Sequence, residues 1–98
     1  MSLEISFHPW AEQELNETAR YYHTRRSGLG AAFLDEVEKA IAQITTNPAA
    51  VPVIRGDVRR KLVRRFPYSI LYAVRGNTLR ILAIANQKRR PFYWSGRK

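Results

Sequence analysis

Apolar and polar residues alternate at the start of the chain and then recur at the spacing of helices. The segment Leu3–Phe7 alternates between the two types, which predicts a short strand with one buried face. Apolar residues then recur every three or four positions over residues 9–25 and 30–46, which predicts two amphipathic helices. A turn at residues 27–30 separates the helices and Pro48 ends the second. We therefore expect an antiparallel helical hairpin.

The second half of the chain is predicted to form β structure. Residues 48–57 contain two prolines and a glycine and have the composition of a loop. Strand-like segments follow at residues 58–66, 68–74 and 79–86, and the last two are almost continuously apolar, which is typical of strands buried on both faces. The sequence thus predicts an α+β fold with an N-terminal strand, a helical hairpin and a three-stranded antiparallel meander, the hairpin packing on one sheet face.

Length and composition narrow the class of protein. A chain of 98 residues is expected to form one domain, residues 1–98. It has no cysteine, which excludes a disulfide framework and a thiolate metal site. We find no signal-peptide pattern and no apolar run that could span a membrane, so a cytoplasmic protein is expected. Neither a metal nor an organic cofactor is implied, because the sequence has no ligand cluster and no glycine-rich phosphate loop.

Positive charge is concentrated in the second half of the chain. The formal net charge is +9. Residues 1–47 contain four basic and seven acidic side chains, whereas residues 48–98 contain thirteen basic side chains and one acidic one, Asp57. A field this one-sided attracts nucleic acid or an acidic protein. The alternative is a charged surface that only maintains solubility.

Several motifs, taken together, resemble the RelE/ParE toxin superfamily. They are Tyr21-Tyr22, Gly28-Leu29-Gly30, Phe33-Leu34-x-x-Val37, Asn47-Pro48, Val58-Arg59-Arg60, Arg65-Phe66-Pro67-Tyr68 and the closing Arg89-Arg90-Pro91-Phe92-Tyr93-Trp94. The resemblance covers nearly the whole chain. It implies the toxin of a type II toxin–antitoxin, or plasmid stabilisation, module that a cognate antitoxin neutralises. We expect an acidic, partly disordered antitoxin that folds on binding to the basic half.

The resemblance leaves two molecular activities open. RelE-like members cut mRNA in the ribosomal A site, and ParE-like members poison DNA gyrase. Such family members often have a histidine where this chain has Asn86, and its loss favours gyrase inhibition. The dense group of arginine, lysine and tyrosine residues favours the nuclease, which is the preferred hypothesis from the sequence. The alternatives are a gyrase inhibitor without catalytic activity and a non-toxic, degenerate nucleic-acid-binding module.

RNA cleavage requires groups that move protons and cations that stabilise the phosphate. Histidine usually moves the protons, but His8 and His23 lie in or beside the helical half and are expected to be surface or packing residues. Neighbouring cations lower the pKa of a lysine or tyrosine, and Lys61 and Tyr93 have basic neighbours in the sequence. By resemblance, the candidate catalytic residues are Lys61, Arg64, Arg65, Arg89, Arg90 and Tyr93. The candidate nucleic-acid-binding residues are Arg59, Arg60, Lys88 and Arg97.

The alternation of a strand predicts which of these residues share a face. The predicted groups are Arg60 with Arg64 on one face, and Arg59 with Lys61 and Arg65 on the other. A basic face that grips an antitoxin or a phosphate backbone without chemistry explains these residues equally well. The aromatic residues expected to pack into the protein are Trp10, Tyr68, Tyr72 and Trp94.

Overall fold

The computed structural model describes residues 3–98, which form two helices and one five-stranded mixed sheet. In chain order the elements are β1 (Glu4–Phe7), α1 (Pro9–Arg25), α2 (Leu29–Thr46), β2 (Val53–Arg55), β3 (Val58–Leu62), β4 (Tyr68–Arg75) and β5 (Thr78–Asn86). The strand order is β1-β5-β4-β3-β2, in which β1 runs parallel to β5 and the other neighbours are antiparallel. Residues 1 and 2 of the predicted domain lie outside the described part.

The predicted α+β class and the order of the main elements are confirmed, with two corrections. The predicted loop at residues 48–57 contains β2, a three-residue strand that extends the meander by one strand. The third strand in the chain, β3, ends at Leu62 instead of Phe66, because residues 64–67 form a turn. Arg65 adopts a φ of 72° there, and Pro67 cannot donate a ladder hydrogen bond.

One face of the sheet packs against the helical hairpin. Apolar positions of α2 meet β4 and β5 in a core centred on Phe33, which is fully buried. Its ring contacts those of Tyr22, Phe66 and Tyr68, with centroids 5.2–5.5 Å apart. The two helices approach closely at Gly30, where an added Cβ would lie 2.5 Å from the carbonyl oxygen of Ala19. In the part of the chain described, neither helix is both long and apolar enough to cross a membrane.

The other face of the sheet is covered by residues 87–98, which we call the C-terminal segment. Trp94 is 5% exposed and belongs to a buried cluster with Leu71, Ala83 and Ala85, and the two alanines occupy little volume. Both central strands are therefore buried on two faces, as their continuous apolar sequences predict. The expected packing of Trp94 is confirmed, as is that of the two tyrosines of β4.

The first helix begins with a histidine cap. Nδ1 of His8 accepts the backbone N–H of Trp10 at 3.0 Å, and Pro9 occupies the first helical position, where a missing N–H costs nothing. Partial burial, followed by the charges of Arg80 and Arg97, lowers the pKa of His8 from its ordinary 6.5. The imidazole therefore stays neutral and can accept the hydrogen bond at neutral pH.

Replacing His8 with alanine is expected to destabilise the protein by roughly 1 kcal/mol, whereas His8→Asn retains a capping acceptor and most of the stability. Because the folded pKa lies below the unfolded one, the unfolded chain binds the proton first, and stability should fall as the pH drops below about 6.5. His8→Asn should remove this component. Urea denaturation of both variants at about pH 8 and about pH 5 tests the cap; equal losses in the two variants would contradict it.

Candidate functional site

A groove of about 600 Å³ opens on the sheet face that bears the C-terminal segment, and we call it the sheet groove. It combines apolar side chains with three guanidinium groups, one from β3 and two from the C-terminal segment. The lining residues are Ile54, Arg60, Leu62, Ser69, Leu71, Ala85, Asn86, Gln87 and residues 89–94. Within residues 3–98, no acidic side chain forms a salt bridge with Arg60, Arg89 or Arg90. These guanidinium groups remain available to an external anion.

Other basic residues of the second half are used within the protein. Each of them donates to an oxygen of the chain: Arg59 to the carbonyl of Val51, Arg75 to Asp57, Arg80 to Ser6 and Arg97 to Glu14. Arg55 donates to Ser95 and lies 3.7 Å from the ring centroid of Phe92. The basic residues that bond within the protein are less accessible to an external anion. The sheet groove brings together three arginines that form no salt bridge in the described residues.

Three of the candidate catalytic residues, Lys61, Arg64 and Arg65, do not line the sheet groove. Lys61 follows Arg60 in β3 and therefore faces the opposite side of the sheet. It lines a separate hollow of about 260 Å³ with Arg64 and with Glu36 of α2. The prediction that Arg60 and Arg64 share a face is wrong, because β3 ends at Leu62 and strand alternation does not continue to residue 64. Sequence proximity thus overstated the size of the basic cluster.

The hydroxyl group of Tyr93 is held by a carboxylate. It donates to Oε2 of Glu14 at 2.8 Å, while the guanidinium of Arg89 lies 3.9 Å from the centroid of the tyrosine ring. Burial, then the hydrogen bond and charge of Glu14, raise the pKa of Tyr93 well above 10. The expectation of a lowered pKa is wrong, because these effects exceed the opposing effect of nearby arginines. Tyr93 is a neutral hydrogen-bond donor here.

Glu14 is the centre of a network that the sequence did not predict. Its carboxylate accepts two hydrogen bonds from Arg97, at 2.9 and 3.0 Å, and one from the backbone N–H of Ile84 at 3.0 Å. Arg97 also donates to the carbonyl of Leu82 at 3.0 Å. Because β1 pairs with β5 only as far as Ile81, the two side chains satisfy backbone groups farther along β5. The network fastens the C-terminal segment to α1.

A second hollow, of about 670 Å³, lies between the start of α1 and the C-terminal segment, and we call it the α1 hollow. Its lining residues are His8, Trp10, Gln13, Glu14, Glu17, Arg89, Arg90, Tyr93 and residues 95–97. Trp10 is 57% exposed, so the expectation that it packs at the helix start is wrong. Position 10 shares a helix face with Gln13, Glu14 and Glu17, whereas Ala11 points into the core.

The structure therefore divides the candidate residues into three groups. Those that meet at the sheet groove are Arg60, Arg89, Arg90 and Tyr93. Those on the helical side or in the turn after β3 are Lys61, Arg64 and Arg65. Arg59 and Arg97 make internal contacts, and Lys88 is exposed after β5. In residues 3–98, no three His, Cys, Asp or Glu side chains converge to hold a metal ion.

The chain is similar in fold to two solved toxin–antitoxin proteins. The chromosomal ParDE toxin–antitoxin system from P. aeruginosa matches with a TM-score of 0.72 and 18% sequence identity, over 87% of this chain and 96% of that chain. The YoeB dimer from Staphylococcus aureus matches with a TM-score of 0.59 and 14% identity, over 86% and 95% respectively. At these identities the likeness shows the fold alone. No curated protein sequence matches the chain.

The helical hairpin and the mixed sheet give the chain the fold of these structures, and a family model identifies it as a toxin of the type II toxin–antitoxin class. The family model for the ParE toxin of the type II system parDE matches residues 5–91. The chain belongs to this ParE toxin family, which confirms the resemblance to the RelE/ParE superfamily seen in the sequence.

Proposed function

We propose that this toxin acts by binding DNA gyrase and that it does not cleave RNA. The observation that carries the proposal is the hydrogen bond from Tyr93 to Glu14, which occupies the candidate proton-transfer group. A general base must be free and must titrate near the working pH. The raised pKa of Tyr93 and the position of Lys61 behind β3 both argue against a base in the sheet groove. Membership of the ParE family adds support.

The sheet groove fits the binding role. Arg60, Arg89 and Arg90 present guanidinium groups that can bind phosphate with two hydrogen bonds each. Apolar side chains such as Leu62, which is 60% exposed, provide contact area for a protein. A complex of an enzyme with DNA presents phosphates and protein side chains together. A surface with both guanidinium groups and apolar side chains is suited to binding such a complex.

We also propose an acidic antitoxin as the protein partner. The structural neighbour from P. aeruginosa is a ParDE toxin–antitoxin system, and complementary charge favours an acidic partner for a strongly basic protein. The free guanidinium groups of the sheet groove are the expected contacts for its carboxylates. Salt should therefore weaken association between the two proteins.

A second candidate function, mRNA cleavage on the ribosome, is favoured by one observation. Arg60, Arg89, Arg90 and Tyr93 come from separate parts of the chain and still meet at the sheet groove. In this alternative, Tyr93 leaves Glu14 when RNA binds, and the arginines stabilise the phosphate. The two functions differ in whether the tyrosine hydroxyl is needed.

Expression of variants without the antitoxin separates the two functions. We expect Tyr93→Phe to arrest growth and induce a DNA damage response as the unmodified protein does, because the phenyl ring retains its packing. The double variant Arg89→Ala/Arg90→Ala should lose both effects. Lys61→Ala/Arg64→Ala also removes two positive charges, from the separate hollow on the helical side, and serves as the charge-matched control. If Tyr93→Phe folds but is harmless, and the unmodified protein cleaves transcripts, the gyrase proposal is overturned.

A further inference from the structure

The α1 hollow has a feature that gyrase binding through the sheet groove does not explain. Trp10, whose indole is more than half exposed, lines this hollow and not the sheet groove. Arg89 and Arg90, which no acidic residue pairs within residues 3–98, line both this hollow and the sheet groove. We propose that this hollow binds single-stranded nucleic acid, with one base stacked on Trp10 and a neighbouring phosphate held by Arg89 or Arg90. The proposal goes beyond gyrase inhibition and does not depend on it.

The exposed indole provides a surface on which a base can stack. Trp10 is 57% exposed, so its ring is accessible to a ligand in the hollow. Bases of any sequence stack on an aromatic ring, because every base has a π-face. The amide of Gln13, on the same helix face, can donate to and accept from the edge of such a base. An unpaired base is needed, which favours a single strand over a duplex.

The arginines lie within reach of the same ligand. The guanidinium of Arg89 stacks on the ring of Tyr93, whose hydroxyl contacts Glu14. Glu14 lies one helical turn after Trp10 on the same face of α1, about 6 Å along the axis. Arg89 and Trp10 line the same hollow and are linked through Tyr93 and Glu14. Arginine stacked on an aromatic ring keeps its hydrogen-bond donors free for a phosphate.

The acidic residues of the hollow set the strength of binding. The charge of Glu14 is balanced by Arg97, and its oxygens also accept hydrogen bonds from the backbone of Ile84 and from Tyr93. Glu17 is exposed and forms no salt bridge in the described part of the chain, so its charge opposes a polyanion. Removing the charge of Glu17 should therefore strengthen binding if nucleic acid occupies the hollow, and should have no effect otherwise.

Fluorescence anisotropy with the full-length protein and a labelled oligothymidylate of about ten nucleotides tests the proposal. Trp10→Ala is expected to weaken binding about tenfold, since one stacked base is lost. Arg89→Ala/Arg90→Ala should weaken it and flatten its salt dependence, and Glu17→Gln should tighten it about twofold. Tyr21→Ala is the matched control, because Tyr21 is a 51% exposed aromatic on the same helix outside the hollow.

Tryptophan emission gives a second measurement. Since Trp94 is buried and Trp10 is exposed, quenching by the oligonucleotide should come from Trp10 and should disappear in Trp10→Ala. The proposal is overturned if Trp10→Ala binds as tightly as Tyr21→Ala, or if a duplex of the same length binds as well as the single strand. The assay contains no gyrase, so its failure is distinct from failure of the proposed function.

Discussion

Replacing Glu14 with alanine is expected to lower the free energy of unfolding by about 3 kcal/mol, at the low end for a broken buried ion pair because the site is partly exposed. The side chains of Arg97 and Glu14 are 14% and 15% exposed. The substitution leaves the guanidinium without its carboxylate and the backbone N–H of Ile84 without an acceptor. Urea denaturation measures the loss, and limited proteolysis should show earlier cleavage within residues 87–98.

Two further variants control this prediction. Glu17→Ala removes an exposed carboxylate from the same helix and should change stability by less than about 0.5 kcal/mol. Glu14→Gln preserves an acceptor for Ile84 and removes the charge, so its loss should lie between those of the two alanine variants. Equal losses in Glu14→Ala and Glu17→Ala would show that the network does not hold the C-terminal segment.

The second large effect is expected at the centre of the helical core. Phe33→Ala should cost about 4 kcal/mol, because it removes a fully buried ring and leaves a cavity among Tyr22, Phe66 and Tyr68. This is a large part of the total stability of a small domain, which is about 5–15 kcal/mol. The midpoint of chemical denaturation provides the measurement.

The neighbouring residue in α2 provides a matched control for the core. Leu34 is 41% exposed, and Leu34→Ala should cost about 1 kcal/mol or less, because little apolar area returns to water. If both variants lost the same stability, the hairpin would not pack on the sheet as described. A folded Phe33→Ala sample should keep the activity of the unmodified protein at low temperature, since Phe33 belongs to the core under the helices and does not line the sheet groove.

Local patterns in the sequence were sufficient to predict most of the fold. The helices show apolar periodicity, and β4 and β5 are almost continuously apolar, because each buried position needs an apolar residue. Such patterns can be read from neighbouring residues alone. The strand β2 was missed because three residues directly after Pro52 are too few to show an alternation of apolar and polar positions. The parallel pairing of β1 with β5 joins residues more than seventy positions apart, and no local pattern specifies such a pairing.

The candidate site was harder to predict, because its chemistry depends on distant contacts. Arg89 and Arg90 lie beside Tyr93 in the sequence and suggested a lowered pKa, whereas Glu14, 79 positions away, raises it. One signal for the network was present in the sequence. Glu14 is three residues after the buried Ala11 and four before the buried Thr18, so a charged residue stands beside the inward face of α1, where it needs a partner.

The position at which β3 ends also determines which basic residues lie together at the sheet groove. Strand alternation correctly separates Arg60 from Lys61, but it fails at Arg64, because the turn after Leu62 reorients the chain. Beyond the last residue of a strand, alternation no longer specifies the face of a side chain. The structure is therefore needed to determine which basic residues of a short strand lie in the same site.

The central claim is that the toxin inhibits gyrase by binding, without the hydroxyl of Tyr93. The most direct measurement adds the purified protein to a gyrase supercoiling reaction and, in parallel, to ribosomes translating an mRNA. We predict that the unmodified protein and Tyr93→Phe inhibit supercoiling to the same extent and leave the mRNA intact. Unaffected supercoiling, with mRNA cleavage that Tyr93→Phe abolishes, would contradict the claim.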